Sequence, residues 1–230
     1  LTRPGYANAL VVFVGWALSH GRHAISEALV ATDVARRRHH ERFHRFFSRG
    51  SWSPDAIGKV LFDRLVRWGP AGGAIHMALD DTLTPKKGPH VFGLGSHLDA
   101  VRSTKRFKVF TFGHVWVVLS VVVRFPFSRR PWAIPVLFRL YRNKQECLRK
   151  RHPYRKKTEL ARELVDLAAH WAGGRGLRVA ADTAYCNATL MGGLSPTVTV
   201  VGAIRPDAVL TAPAHVARVP KVGRPRLRGA

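Results

Sequence analysis

The amino-acid sequence predicts an α/β fold in which helices flank a mixed β-sheet and an N-terminal helical region comes first. Two patterns support this prediction. Apolar residues recur at helical spacing before residue 70, and short β-branched segments bounded by Gly and Pro come after it. Gly69, Pro70, Gly72 and Gly73 interrupt both patterns. We therefore expect a helical region over residues 1–70 and a core over residues 71–230.

Two segments of the helical region have sequence patterns that predict how their helices pack. Residues 9–18 (ALVVFVGWAL) are apolar but too few to span a bilayer, so they predict a buried helix. Residues 36–49 interleave Arg and His with three Phe, and two interpretations stay open. In the first interpretation, the aromatic rings pack inward and the basic face of the helix contacts DNA phosphates. In the second, the basic face is only solvated and covers an ordinary core. Thr32 and Ser53 are candidate helix caps.

The core elements follow one another in an informative order. Strands are predicted at residues 74–80, 114–125, 132–140, 177–181 and 197–203. An amphipathic helix over residues 158–171, capped by Thr158, separates the third strand from the fourth, and a short helix separates the fourth from the fifth. This is the order of an RNase H-like sheet. The strand after the long helix is expected to run parallel to an earlier strand.

The charge of the chain points to a polyanionic partner. Thirty-eight Lys and Arg oppose fourteen Asp and Glu, which gives a formal charge of +24. DNA is the expected partner, and the absence of a lipidation motif in the sequence argues against a membrane-surface protein. Cys147 and Cys186 form no Cys-x-x-Cys pair, so neither a disulfide framework nor a structural zinc site is indicated, and a reducing cytoplasm fits best.

Acidic residues stand at the predicted carboxyl ends of two strands. Asp80 and Asp81 end the first strand, and Asp182 ends the fourth. Ligands of open α/β sheets gather at this edge, and carboxylates are the ligands that Mg²⁺ or Mn²⁺ prefers. Two such ions can activate a nucleophile and stabilise a leaving oxygen in phosphoryl transfer. The alternative is that these acids are ordinary turn or helix-cap residues.

The sequence motifs around these acids resemble those of the DDE superfamily endonucleases of insertion-sequence transposases. The resemblance rests on an ordered set of motifs that runs from about residue 36 to the end of the chain. These motifs are DDTLTPKKG at 80–88, ADTAY at 181–185, FFSRGSWSPDAIGKVLFD at 46–63, GHVWVVLSVVV at 113–123, KTELARELVDL at 157–167 and VGRPRLRG at 222–229.

The resemblance implies roles for several residues. Asp81 is similar to the first catalytic, metal-binding aspartate of that family, with Asp80 as a close rival, and Asp182 is similar to the second. Tyr185 either stacks on a base or packs beneath the sheet. The predicted DNA-contacting residues are Lys86, Lys87, Arg142, Arg224 and Arg226, although solvated turn lysines are the alternative for the first two.

The resemblance fails at the third acid. The family uses a later glutamate, but no Glu follows Glu163, and Asp207 is the only acid after Asp182. Residues 204–230 resemble the start of an insertion that precedes that glutamate, so Asp207 is a poor substitute. The expected function is a nucleoid-associated transposase that can form a homo-oligomer and whose chain lacks the third acid. A DNA-binding remnant or regulator without catalysis is the alternative; an RNA-binding protein fits the acids less well.

Overall fold

The computed structural model describes residues 2–69, 72–204 and 208. Arg224, Arg226 and Asp207 lie outside these residues. The chain divides into two compact units, Leu1–Ile57 and Gly58–Ala230. Within the described ranges, no helix combines the length and the hydrophobicity that crossing a bilayer requires.

The first unit is helical, as the sequence predicts. It contains α1 (Arg3–Leu18), α2 (Ile25–Ala31) and α3 (Glu41–Arg49), and α4 (Pro54–Leu65) begins in it. Ser53 caps α4, because its Oγ accepts a hydrogen bond from the Ala56 amide at 3.2 Å. Thr32 does not begin a helix. It follows α2, and its hydroxyl donates to the Ala28 carbonyl oxygen at 2.8 Å.

The apolar segment at residues 9–18 is helical but only partly buried. Ala9, Val12 and Gly15 face the interior of the unit, whereas most of its large apolar side chains are exposed. A segment that is apolar all round has no polar face, and a helix that packs along one side can bury only one stripe of it. The expectation of a buried helix is therefore wrong for the outer face. The exposed side chains are Leu10, Phe13, Val14 and Leu18.

Two of the three phenylalanines of α3 face inward, whereas Phe47 is 38% exposed. Phe43 and Phe46 are buried, and Phe43 packs in a cluster with Val12 and Leu29. Arg42 lies on the exposed side of the helix. Inward packing of the aromatic stripe belongs to both interpretations of this segment, so DNA contact by its basic face stays a prediction.

The second unit contains a six-stranded mixed sheet. Its strands are β1 (Ile75–Pro85), β2 (Gly95–Leu98), β3 (Phe110–Val123), β4 (Trp132–Tyr141), β5 (Leu177–Ala181) and β6 (Val198–Gly202). Its other helices are the 3₁₀ turn Val66–Trp68, α5 (Lys144–Arg149), α6 (Lys157–Trp171) and α7 (Ala188–Met191).

The order of these strands across the sheet confirms the predicted α/β, RNase H-like fold. The long strands lie in the order β4-β3-β1-β5-β6, and β2 pairs with the beginning of β3. β1, β5 and β6 are parallel, whereas β3 runs antiparallel to β1 and to β4. The pattern did not predict β2 or α5, since both are short and lie within basic, turn-rich sequence.

β1 is longer than the sequence predicts. The predicted strand stops at Asp80, but β1 continues to Pro85 because β3 keeps pairing with it as far as Gly113. Alternation along β1 places Ile75, Met77 and Leu79 on its buried face. Asp81 is the next residue in that alternating series. It therefore lies within the strand, on the same face as the three buried residues and directly after them.

Helix α6 covers the buried face of the sheet. Leu160, Leu164 and Val165 pack in one core cluster with the inward residues of β1 and β3. The predicted cap, Thr158, is wrong by two positions, because α6 begins at Lys157 and its N-cap is Lys156. The Glu159 carboxylate accepts a hydrogen bond from the Lys156 amide at 2.8 Å, which fixes this start.

Helix α4 approaches the sheet through a glycine. A Cβ atom at Gly58 would overlap the Val136 carbonyl oxygen of β4. Any larger residue would force this helix away from the strand. The close approach is consistent with the burial of Phe62, one turn further along α4.

Candidate active site

Asp80, Asp81 and Asp182 meet at one edge of two neighbouring parallel strands. The pairing of β1 with β5 ends at Leu79 and Ala181, so Asp80 and Asp182 are the next residues on each side. Asp182 directly follows β5, as the sequence predicts, whereas β1 continues past Asp81. Strand adjacency therefore brings together the acids that are about a hundred residues apart in the chain.

Asp81 is held by two side chains from other elements. Its Oδ2 lies 2.6 Å from Nζ of Lys157, the first residue of α6. Its Oδ1 accepts a hydrogen bond of 2.8 Å from the hydroxyl of Tyr185. The Asp81 side chain is 24% exposed, so one cation and one hydroxyl orient a carboxylate that still reaches solvent.

Tyr185 lies beneath the carboxylates of Asp80, Asp81 and Asp182, which we call the acidic edge. The residue is buried in the main core cluster, which agrees with packing rather than base stacking. Burial raises the pKa of its hydroxyl, and the negative charges of Asp81, Asp80 and Asp182 raise this pKa further. All three carboxylates are thus close enough to act on one hydroxyl, which stays protonated and donates to Asp81.

Asp80 and Asp182 differ from Asp81 in their contacts. Both are exposed. One oxygen of Asp80 accepts from the Asp81 amide at 2.8 Å, and one oxygen of Asp182 accepts from the Thr183 amide at 2.6 Å. These local bonds are typical of turn residues, but each carboxylate keeps a second oxygen for a ligand.

Lys157 also contacts the aromatic ring of Tyr141. Its Nζ lies 5.5 Å from the centroid of the Tyr141 ring, at the end of β4. The Tyr141 hydroxyl is 3.4 Å from that of Tyr154, and burial together with this bond raises the pKa of Tyr141. A lysine in the first turn of a helix opposes the helix dipole. The sequence contains no signal of this contact, because its pattern places the start of the helix at Thr158 and leaves Lys157 outside the first turn.

His97 lies near the same site, on the strand that the sequence pattern missed. It is 7% exposed, and its ring centroid is 5.8 Å from that of Tyr141. Burial lowers the pKa of His97, the nearby charges of Lys157 and His114 lower it further, and Asp81 opposes them. The surroundings of His97 therefore favour its neutral form.

Glu163, the last glutamate of the chain, is engaged elsewhere. Its carboxylate oxygens lie 2.7 Å from Nε of Arg139 and 2.6 Å from NH1 of Arg155. Burial acts to raise the pKa of Glu163, but the bonds to the two guanidinium groups outweigh it and lower the pKa. Glu163 thus ties α6 to β4 and to the segment before α6, and its carboxylate is committed to these bonds.

The predicted DNA-contacting residues have different surroundings. Lys86 and Lys87 are exposed directly after β1 and line a cavity of about 780 Å³. Arg142 is half-buried after β4, and its guanidinium carbon lies 5.7 Å from the centroid of the Phe92 ring. Arg142 is therefore already partly used in packing, whereas the two lysines face solvent.

The acidic edge fits a divalent cation only in part. Carboxylate oxygens on adjacent strands are suitable hard ligands. In the described part of the chain, however, no three His, Cys, Asp or Glu side chains are grouped so that they could hold a metal ion. Lys157 supplies the positive charge that faces Asp81 instead.

Two comparisons with known proteins bear on this site. No curated protein matches the chain. A family model described as DDE superfamily endonuclease matches residues 3–230. This match covers both units and includes Asp81, Asp182 and the strands that carry them. The chain belongs to the DDE superfamily endonuclease family.

Proposed function

We propose that this protein is a transposase of insertion-sequence type, which cuts and joins DNA strands at transposon ends with the help of Mg²⁺ or Mn²⁺. The observation that carries the proposal is the meeting of Asp81 with Asp182 on neighbouring parallel strands of an RNase H-like sheet. The family supports nuclease action on DNA. Transposition, metal dependence and the roles of individual residues are the proposed steps beyond it.

Asp81 and Asp182 are the proposed metal ligands. Asp81 is preferred to Asp80 because Tyr185 and Lys157 orient its carboxylate, whereas the Asp80 carboxylate bonds to the adjacent amide. When bound, the metal would supply charge stabilisation for a phosphoryl transfer and would activate the attacking oxygen. Oxygen ligands suit this role, and the ion pair of Asp81 with Lys157 is consistent with a cation at this position.

The residues of the chain have separate tasks in this proposal. The Tyr185 hydroxyl keeps one lone pair of Asp81 occupied and so limits how the carboxylate can rotate. Lys157 neutralises Asp81 and would offer a positive charge to a nearby phosphate oxygen. Lys86 and Lys87 hold the DNA backbone beyond the end of β1.

A second candidate is DNA binding without catalysis, for example by a protein that occupies transposon ends and regulates the intact enzyme. The specific observation in its favour is that Glu163 is engaged away from Asp81 and Asp182. No Glu follows Glu163, whose carboxylate binds two arginines. The formal charge of +24 supports DNA binding in both candidates.

Direct measurement of Mn²⁺ binding tests the site, and a nicking assay on supercoiled DNA tests the reaction. Both use the full 230-residue chain and its Asp81→Asn and Asp182→Asn variants. Asp166→Asn is a matched control, because Asp166 is a partly exposed aspartate that pairs with Arg162 within α6. Each of the two site variants should lose Mn²⁺ affinity, and the control should keep it.

The nicking result separates the two candidates. Metal-dependent nicking above the level of both site variants, even if slow, supports the transposase. Mn²⁺ binding that depends on both aspartates without any nicking supports the non-catalytic DNA-binding protein. Mn²⁺ affinity that neither substitution changes would remove the acidic edge from both explanations.

A further inference from the structure

The cavity of about 780 Å³ that Lys86 and Lys87 line lies beyond the end of β1 and contains none of the three aspartates of the candidate active site. Lys86, Lys87 and Arg102 line it together with the aromatic rings of Phe110 and Phe112. None of the described residues that line it is acidic. We refer to this cavity, defined by these five residues, as the Phe-Lys groove.

The two aromatic rings stand on one face of β3. Phe110 and Phe112 are separated by one residue, so they project on the same side of the strand. They are 65% and 62% exposed, an unusual state for two large apolar side chains in a sheet. β2 pairs with their backbones, and the Lys86 amide donates to the Phe112 carbonyl oxygen at 3.1 Å. The rings are thus exposed on a backbone that hydrogen bonds hold in place.

The cations of the groove remain available for an anion. Lys86, Lys87 and Arg102 are exposed, and no ion pair within the described ranges involves them. The nearest acid in sequence, Asp99, accepts from the Val101 and Arg102 amides and from the Thr111 hydroxyl. The Asp99 carboxylate is therefore engaged by hydrogen bonds to residues 101, 102 and 111.

We propose that the Phe-Lys groove binds an unpaired stretch of a DNA strand, with bases stacked on Phe110 and Phe112 and phosphates held by Lys86, Lys87 and Arg102. Exposed aromatic rings flanked by cations are suited to single strands, because any base offers a π-face to stack. A duplex hides those faces within its own stack and presents phosphates and base edges instead. This proposal deepens the proposed function and rests on DNA as its substrate.

The groove is near enough to serve the acidic edge. Asp81 and Pro85 are on the same strand, and four residues of β-strand span about 13 Å. A DNA end that reaches Asp81 and Asp182 can therefore extend an unpaired strand into the groove. Strand separation near the cleaved phosphate is the step that this arrangement would favour.

Fluorescence anisotropy in EDTA tests the proposal without any contribution from metal or catalysis. The probes are a labelled single strand on the order of 15 nucleotides long, which fits typical site sizes, and a duplex of the same length. The Phe110→Ala/Phe112→Ala double variant is compared with the wild-type chain. Each lost stack should weaken single-strand binding by roughly fivefold to 150-fold, and duplex binding should change less than about threefold.

Two further variants keep the test decisive. Phe107→Ala/Phe127→Ala removes two rings that are as exposed but do not line the groove, and it should bind both probes like wild type. Lys86→Gln/Lys87→Gln/Arg102→Gln should weaken binding of both probes and flatten the salt dependence. Circular dichroism melts show whether each variant is folded.

The ratio of single-strand to duplex affinity decides the proposal. An unchanged ratio in a folded Phe110→Ala/Phe112→Ala variant would overturn it, and so would an equal fall in the Phe107→Ala/Phe127→Ala control. Because these measurements need no metal, absence of nicking would leave their outcome intact. The failure of this proposal and the failure of the proposed reaction are therefore distinguishable.

Discussion

Lys157 and Asp81 form an ion pair of 2.6 Å that joins the first turn of α6 to the middle of β1. The two residues are 76 positions apart in the chain, and both side chains are partly withdrawn from solvent. The lysine occupies one side of the carboxylate that we propose as a metal ligand. A divalent ion at Asp81 must therefore compete with a cation that the protein itself provides.

This competition predicts that Lys157→Met will raise the affinity of the chain for Mn²⁺. Methionine keeps much of the length and apolar stem of lysine but removes its charge. Partly exposed ion pairs contribute up to about 1 kcal/mol, which corresponds to a gain of about twofold to fivefold in metal affinity. Isothermal titration calorimetry with Mn²⁺ measures it.

Lys59→Met is the matched control for this prediction. Lys59 pairs with Asp63 at 2.5 Å, along α4 and without contact to the acidic edge. Its removal should leave Mn²⁺ affinity unchanged. Equal or lower affinity in Lys157→Met than in the wild-type chain would show that the lysine does not compete at the metal position.

Tyr185→Phe is predicted to destabilise the fold moderately. The substitution removes the hydroxyl that donates to Asp81 Oδ1 at 2.8 Å and keeps the buried ring. A hydrogen bond to a charged group contributes about 1.5–3 kcal/mol, and solvent access to Asp81 should place the loss near the lower value. Urea unfolding measures the free energy of unfolding.

Tyr185→Ala provides the comparison for this measurement. Loss of the whole buried ring should destabilise the chain by about 3–5 kcal/mol, as large-to-small substitutions in cores do. A Tyr185→Phe variant as stable as the wild-type chain would mean that the hydroxyl contributes nothing net. In that case Asp81 would be positioned by Lys157 and the strand alone.

The sequence predicted the sheet well because its strands are strongly patterned. The segments that became β3 and β4 are apolar and β-branched, and α6 has a clear amphipathic repeat, so periodicity identifies them. β2 has only four residues, two of which are Gly95 and His97, and carries no such pattern. The pairing that creates it comes from β3, which no local signal reveals.

The site was predictable only as far as it depends on strand order. Once β1 and β5 are adjacent, Asp81 and Asp182 must lie at one edge. The contacts of Asp81 to Lys157 and Tyr185 depend on where α6 begins and on the turn after β5. Tyr185 could be assigned to packing from its residue type, but its hydroxyl bond required the three-dimensional arrangement.

His97 predicts a pH dependence of stability. Burial holds its pKa in the folded chain below the ordinary value of 6.5, so near and below pH 6.5 the unfolded chain binds the proton more readily. Stability then rises with pH between the lowered folded pKa and 6.5, and this contribution is complete above 6.5. The slope from one group is at most about 1.4 kcal/mol per pH unit.

The measurement compares the wild-type chain with His97→Gln by urea unfolding between about pH 5.5 and pH 7.5, the range in which histidine titrates. Taking the difference cancels the titration of the other groups that the two chains share. The stability of the wild-type chain relative to the variant should fall as the pH is lowered. A difference that stays constant across this range would show that His97 does not titrate differently in the folded chain.

The charge of the chain predicts a steep salt dependence of duplex binding. Each phosphate contact releases condensed counterions, so the logarithm of affinity should fall linearly with the logarithm of salt concentration, with a slope of about 0.9 per contact. Lys86→Gln/Lys87→Gln should lower the magnitude of that slope by about 2 if both lysines contact phosphates. A flat titration would exclude an interface dominated by phosphate contacts.

The last prediction is that this 230-residue chain shows little DNA cleavage that depends on Asp81 and Asp182. Asp81 and Asp182 can share one divalent ion with water and phosphate oxygens, but among the described residues no group of three His, Cys, Asp or Glu side chains completes a metal site, and Glu163 is bound to Arg139 and Arg155. Loss of one comparable electrostatic contact to a transition state costs on the order of a hundredfold to a thousandfold in rate.

Single-turnover nicking with Mg²⁺ or Mn²⁺ checks this prediction, with Asp81→Ala and Asp182→Ala as the variants that remove each proposed ligand. The wild-type chain should nick only slightly faster than these variants, while all three bind duplex DNA, because binding depends on lysines and arginines along the whole chain. Robust nicking that both substitutions abolish would show that the site is complete without a later glutamate. Asp80, the exposed carboxylate level with Asp182, would then be the first residue to test as the third ligand.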